Sequence, residues 1–316
     1  MSSQPGRILA ATDFSPAADR AARRAASVAA TLGDVLHLAH ILPPAETFAQ
    51  LFADPASSEA QAFRSRAERA LEERAQRLAD RYGVKPVCEL HAGHAAQAIL
   101  DLSESLAAHL IVLGARGERE GVSLLQTVGD TAVKVAERAR VATLLVRREA
   151  EVPYGRVFAC VKGVPADRSI VAWANRVSPA DLIHIASAYS VPYEWRLVEW
   201  GASQRTLETY AARERESRTR ALSELLRECG LPAARAQLHI ERGEPLPTIL
   251  QIAGQWHADV LILGRRAEAD SLSAAGQFGS IARRIAFHAP MDVMIVPPAL
   301  AHTERSVSTK PADRRE

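Results

Sequence analysis

A chain of 316 residues, 47% of them hydrophobic, can bury sizeable cores, and its length fits about two domains. A formal net charge of +2 lacks the concentrated base of a nucleic-acid binder, so no nucleic-acid partner is expected. Three scattered cysteines, Cys88, Cys160 and Cys229, form no CxxC pair and leave an odd count, which argues against a disulfide framework and fits a reducing cytosol.

The opening MSSQPGRILAATD lacks the apolar core of a signal peptide, and no run reaches about 18 apolar residues. The expectation is a cytoplasmic protein with no membrane partner. RILAAT (7–12) reads as a strand and 15–33 as a helix, with Ser15 as N-cap, Pro16 at the first helical position and Gly33 as the stop. VLHLAHIL (35–42) is the second strand. Residues 43–58 read as a loop containing proline and a short apolar patch. A long helix over 59–82, a strand KPVCELHA, a helix near 94–108, the strand LIVLG, a helix near 128–139 and the strand VATLLVR complete the first half.

The second half repeats the first. HLIVLGARG (109–117) returns as DVLILGRRA (259–267), 150 residues on, and Gly93, Ile99, Leu100, Ala132 and Val146 match Gly243, Ile249, Leu250, Ala282 and Val296 at the same offset. A period this long marks a duplicated domain rather than a solenoid unit. The seam falls in REAEVPYG (148–155), giving domains 1–150 and 151–298 and a polar tail, 299–316, expected to be disordered. Strands of the second half are RVFACVK, LIHIASA, AQLHIE, VLILG and DVMIVP; helices stand out at 202–229 and 247–257. The former is densely charged, with Leu222, Leu225 and Leu226 as its packing stripe. Val/Ile/Leu strands alternating with helices predict an α/β fold, a parallel sheet with helices on both faces.

In such sheets ligands bind beyond the carboxyl ends of the strands, at a switch point. Two segments sit there: TDFS after strand one and LGARGEREGVSLLQTVGDT (113–131) after strand four. The latter has neither the P-loop lysine nor the dinucleotide fingerprint. Its glycines would let backbone N–H groups approach a phosphate at the next helix start, with Arg116 and Arg119 adding charge; equally, Gly114 ends a strand and Gly129 starts a helix. Asp13 either caps the helix after strand one or accepts from ribose hydroxyls. His37 and His40, three apart on a strand, point to opposite faces. His91 and His94 flank a turn, and no carboxylate or cysteine pattern completes a metal site. Arg147-Arg148, Arg265-Arg266 and Arg283-Arg284 read as solvated ends of elements. No catalytic constellation is found, so the chain is not expected to be an enzyme.

RILAATDFSPAADRAARRAASVA, VLHLAHI and HLIVLGARGE…GDTAVKV…ATLLVRR together resemble the universal stress protein family, and the doubling resembles its tandem members. The resemblance covers nearly all of residues 5–298. It implies two tandem five-stranded parallel-sheet domains, strand order 3-2-1-4-5, pairing with each other through their fifth strands, 141–147 and 292–297. A homodimer of the whole chain is a further partner option. It also implies a stress-response nucleotide-binding or sensing role, with ATP at the motif G-x2-G-x9-G-[ST], together with Mg²⁺ in one version of the site. Asp13 would then meet the ribose, the main chain near Ile41 the adenine, and Gly114, Arg116, Gly117 and Gly129 the phosphates. This chain departs from the motif: eleven residues separate Gly117 from Gly129, and Asp130 precedes Thr131 where Ser or Thr is expected directly. A carboxylate there opposes a polyphosphate unless a cation intervenes. In the second half Gly264, Gly279 and Ser280 remain, but Ala267 replaces the second glycine and Lys162 stands in the place of Asp13. An ammonium cannot accept from ribose, though its charge suits an anion. The second site is therefore expected to be degenerate. The alternative to nucleotide binding is an interaction module acting through partner proteins; slow ATP hydrolysis ranks last, for want of a base near the loop.

Overall fold

The computed structural model describes residues 5–52, 54, 56–115, 128–149, 152–178, 182–265 and 280–298. The first half runs β1 (Arg7–Thr12), α1 (Pro16–Leu32), β2 (Val35–Leu42), α2 (Ala45–Leu51), α3 (Ser58–Tyr82), β3 (Val87–Ala92), α4 (Ala95–Ser105), β4 (Leu110–Gly114), α5 (Asp130–Arg138) and β5 (Ala142–Val146). The second runs β6 (Val157–Cys160), α6 (Arg168–Val177), β7 (Ile183–Tyr189), α7 (Glu194–Glu199), α8 (Gln204–Glu228), β8 (Ala236–Arg242), α9 (Pro245–Gln255), β9 (Val260–Gly264), α10 (Ser280–His288) and β10 (Asp292–Val296). The tail from 299 lies outside the described residues.

Local chemistry sets these boundaries. Ser15 Oγ accepts from the Ala18 N–H at 3.2 Å, Pro16 opens α1, and Gly33 closes it in the left-handed region at φ 69°, where a glycine carries no Cβ penalty. Ser57 and Ser203 cap the two long helices in the same way. Part of what reads as a loop over 43–58 is helix α2: Phe48, at 4% exposure, packs on Phe52 and Phe63 and holds α2 against α3.

All ten strands belong to one sheet, ordered β3-β2-β1-β4-β5-β10-β9-β6-β7-β8. The two five-stranded sheets of the expectation are in fact one ten-stranded sheet, joined through their fifth strands. Each half keeps its own 3-2-1-4-5 order, but β5 and β10 pair antiparallel, Val293 with Leu145 and Ile295 with Thr143, and weld the halves. Both strands are buried along their whole length, and an edge so apolar would otherwise invite association. Helices α1, α3, α6 and α8 cover one face; α4, α5, α9 and α10 cover the other.

Side chains reinforce the weld. Asp292, with no exposed surface, accepts from the Tyr154 hydroxyl at 2.7 Å and from the Arg147 and Arg148 N–H groups at 2.7 and 3.0 Å. Arg24 of α1 brings Nε to 3.4 Å from the same carboxylate and lies 4.0 Å over the Tyr154 ring. Burial and the neighbouring Asp292 charge hold the Tyr154 hydroxyl well above the ordinary tyrosine range, so it stays a donor. Arg265 reaches across to the Glu137 and Ala136 carbonyls at the end of α5, at 2.8 and 3.4 Å. Arg147 reciprocates on the Ala286 carbonyl of α10. A cation at a helix carboxyl end is favourable. Arg147 and Arg265 are thus struts between halves, not solvated ends; Arg266 lies outside the described residues.

Candidate functional site

The crevice forms where the chain leaves β1 and β4 in opposite directions. Register carries Ala10 beside Val112 and Ala11 beside Ala39, which sets Asp13, Ile41 and Ala115 in one row across the ends of three neighbouring strands. The glycine loop departs and returns at this row: the Gly129 N–H donates to the Ala115 carbonyl at 2.7 Å. Val128 anchors the return in the core at 7% exposure. Gly129 N-caps α5, so the free N–H groups of the first turn open beside the ends of β1 and β4. Asp13, Ile41, Gly114 and Gly129 therefore converge. Arg116 and Gly117 lie outside the described residues.

Asp130 does not oppose the crevice. Its side chain is 79% exposed and pairs with Lys134 one turn on, at 2.6 Å, which directs the carboxylate along the helix surface. Thr131 follows, half-buried. Ser15 rather than Asp13 is the N-cap of α1; Asp13 Oδ1 accepts from the Ser15 N–H at 3.0 Å and shapes the turn that leads into the helix.

Sequence reasoning missed Phe14. It adopts φ 67°, a left-handed conformation that costs a bulky residue roughly 1–3 kcal/mol. Its surroundings impose it. The Phe14 N–H donates to Thr12 Oγ1 at 3.0 Å, its ring stacks on His40 at 4.2 Å, and Arg74 of α3 donates to its carbonyl at 3.2 Å while standing 4.6 Å from the ring. His40 Nδ1–H donates to the Thr12 carbonyl at 2.8 Å. This brace fixes the peptide beside Asp13. The only sequence signal was an aromatic in a turn; Arg74 is 60 residues away and carried none. His37 points to the opposite face, donating to Glu89 at 3.0 Å. Among the described residues no group of three or more His, Cys, Asp or Glu is arranged to hold a metal.

The second half is built differently at the same place. Gly163 takes the left-handed position, φ 81°, where a Cβ would come 2.9 Å from that of Ala221. The successive N–H groups of Lys162, Gly163 and Val164 all donate to Asp167 Oδ2, at 2.7, 2.9 and 3.1 Å. Three converging N–H groups form an anion-binding concavity, here filled by the chain's own carboxylate, 8% exposed. Lys162 points to solvent, its carbonyl held by Arg218. Gly264 ends β9 against Ile170. Gly279 and the Ser280 side chain lie outside the described residues. Replacing Asp167 with Ala leaves those donors without their acceptor; a loss of about 1–2 kcal/mol is expected by urea denaturation, with Asp167→Asn losing less.

This is a doubly wound α/β protein with a switch-point crevice in each half, one open in its chemistry and one internally filled. The sequence model of the Universal stress protein family matches residues 5–147 and again 153–297, and the chain belongs to that family as a tandem member. In solved structures the chain is similar to a universal stress protein from Archaeoglobus fulgidus DSM 4304, with 17% identity, a TM-score of 0.67, and coverage of 93% of this chain and 99% of that one. It is also similar to a functionally unknown protein from Pseudomonas aeruginosa PAO1, with 19% identity, a TM-score of 0.59 and 92% of each chain covered. At these identities the likeness concerns the fold. No curated protein matches. No described helix is long and apolar enough to cross a membrane.

Proposed function

We propose that this tandem universal stress protein is a cytoplasmic nucleotide-binding sensor that takes one ATP, with or without Mg²⁺, in its first half. The observation that carries this reading is the convergence of Asp13, Ile41, Gly114 and Gly129 at one row of strand ends, closed by the Gly129–Ala115 bond. A nucleotide there would offer its phosphates to the N-terminus of α5, with Gly117, Arg116 and Thr131 as further contacts, and its ribose to Asp13. The Asp130–Lys134 pair supports it by taking the carboxylate out of the phosphate path. The filled concavity at Asp167 favours a non-nucleotide, interaction role for the second half. The role is binding rather than turnover.

Calorimetry tests this. Wild type is expected to bind ATP, and Asp13→Ala to bind about tenfold or more weakly, the worth of a charged hydrogen bond. Asp13→Asn keeps an acceptor for the Ser15 N–H, so comparing its melting temperature with that of Asp13→Ala separates a lost turn bond from a lost charged ribose contact. No heat at millimolar ATP in wild type, or equal affinity in Asp13→Ala, would defeat the proposal.

A further inference from the structure

Each half inserts a short helix after its second strand; α2 exposes one large apolar side chain, Leu51, whereas α7 and its flanks expose four. Helix α2 turns Phe48 inward onto Phe52 and Phe63. Helix α7 buries no residue at all. Tyr193, Trp195, Val198 and Trp200 stand 68%, 63%, 57% and 74% exposed. Duplicated domains start with equal insertions, so this difference concerns what α7 faces, not what the fold requires.

The geometry of α7 points to a second copy of this chain as its partner. At 100° per residue, Trp195, Arg196, Val198, Glu199 and Trp200 share one broad outward face, while Glu194 and Leu197 turn toward the body and are half-buried. Three aromatic rings of about 150–250 Å² each, some two-thirds exposed, contribute on the order of 300–500 Å². That reaches the largest apolar patch of an ordinary monomer, about 300–600 Å². It is about half of the roughly 800 Å² per partner in a specific interface.

Charge selects the copy over other occupants. A two-fold contact sets the same surface against itself. An axis beside the middle of α7, between Leu197 and Val198, lays two such helices antiparallel. Trp195 then meets the partner's Trp200, and Arg196 meets the partner's Glu199. Among the described residues Arg196 has only ring partners, standing 5.9 Å from Tyr193 and 4.9 Å from Trp195. Glu199 makes no ion pair among the described residues, whereas Glu194 is already engaged by Arg242. The two charges left over are those that a two-fold brings together. A face with both signs in balance does not suit an anionic lipid surface, where excess base would be needed.

Sedimentation of the full chain over micromolar concentrations decides this. Wild type is expected to dimerise. Trp195→Ala should raise the dimer Kd by about thirtyfold or more, as for a central aromatic anchor. Arg196→Glu and Glu199→Arg should each raise it about tenfold or more by setting like charges together, and the double reversal should restore the wild-type value. These side chains are exposed, so far-UV circular dichroism should be unchanged in every variant. A wild type that stays monomeric, a dimer indifferent to either single reversal, a double reversal that fails to recover, or co-sedimentation with phosphatidylglycerol vesicles in place of dimerisation would each overturn the assignment.

Discussion

Asp292→Ala is expected to lower the unfolding free energy by roughly 3–5 kcal/mol, the cost of leaving a buried charge and its donors without a partner. The size follows from what would be stranded. The Arg24 guanidinium, 5% exposed, keeps bonds to the Val152 and Glu149 carbonyls but loses its counter-charge. The Tyr154 hydroxyl and the Arg147 N–H lose their acceptor inside the protein. All of these groups flank the β5–β10 pairing, so the damage should fall on the contact between halves. Urea denaturation followed by tryptophan fluorescence and by far-UV circular dichroism measures it. Wild type should unfold in one coincident transition, and Asp292→Ala in two, because all four tryptophans, at 173, 195, 200 and 256, lie in the second half. Asp292→Asn, which retains an acceptor oxygen, should lose less. Arg24→Met combined with Asp292→Ala should recover part of the loss, since the uncompensated cation is then gone. A change below about 1 kcal/mol, the scale of an exposed pair, would show that the cluster is incidental.

This cluster also marks where the sequence stops being readable. The doubled strand pattern was legible because strands buried on both faces must be nearly continuous Val, Ile and Leu: LIVLG and VLILG could be little else. The caps Ser15 and Gly33 were legible because their chemistry is local. Arg24, Tyr154 and Asp292 are joined over more than a hundred residues, and nothing in an AARRAA helix distinguishes Arg24 from the half-buried Arg23 beside it. The site shows the same division. Asp13 and Gly129 could be placed by their positions after strands one and four. The Phe14–His40–Arg74 brace depends on three elements, and Asp167 carries no local signal that its oxygen collects three N–H groups. The two short helices escaped because α2 and α7 are too brief to show a period, and their opposite exposure is decided by tertiary contacts such as Phe63.

The second large effect is on acid stability. His184 Nδ1 and His239 Nε2 lie 2.9 Å apart, both buried, beneath the Phe158 and Trp256 rings. They occupy the sheet positions that hold His37 and Glu89 in the first half, since His184 lies two residues before Ala186, as His37 does before Ala39, and Ala186 faces His239 as Ala39 faces Glu89. The first half thus has an ion pair where the second has two bases. Two imidazoles sharing one hydrogen bond need one bare ring nitrogen as acceptor, so the pair cannot be protonated on both rings and keep the bond. Burial first, then the His184 charge, pushes His239 down to about 4; burial and then Arg156 lower His184. The unfolded chain therefore takes up protons below about 6.5 that the folded protein refuses until about 4. Stability is fully present above the unfolded value and falls as pH drops through this window. Between pH 7 and pH 5 the loss should be about 2 kcal/mol from His239 alone. His239→Gln keeps a hydrogen-bonding partner for His184 without titrating, so urea midpoints measured at pH 7 and pH 5 should differ far less in this variant than in wild type. His239→Glu, which recreates the pair of the first half, should reverse the trend for His184, whose protonation would then be favoured by the new carboxylate. An unchanged pH slope in His239→Gln would assign acid sensitivity to other groups.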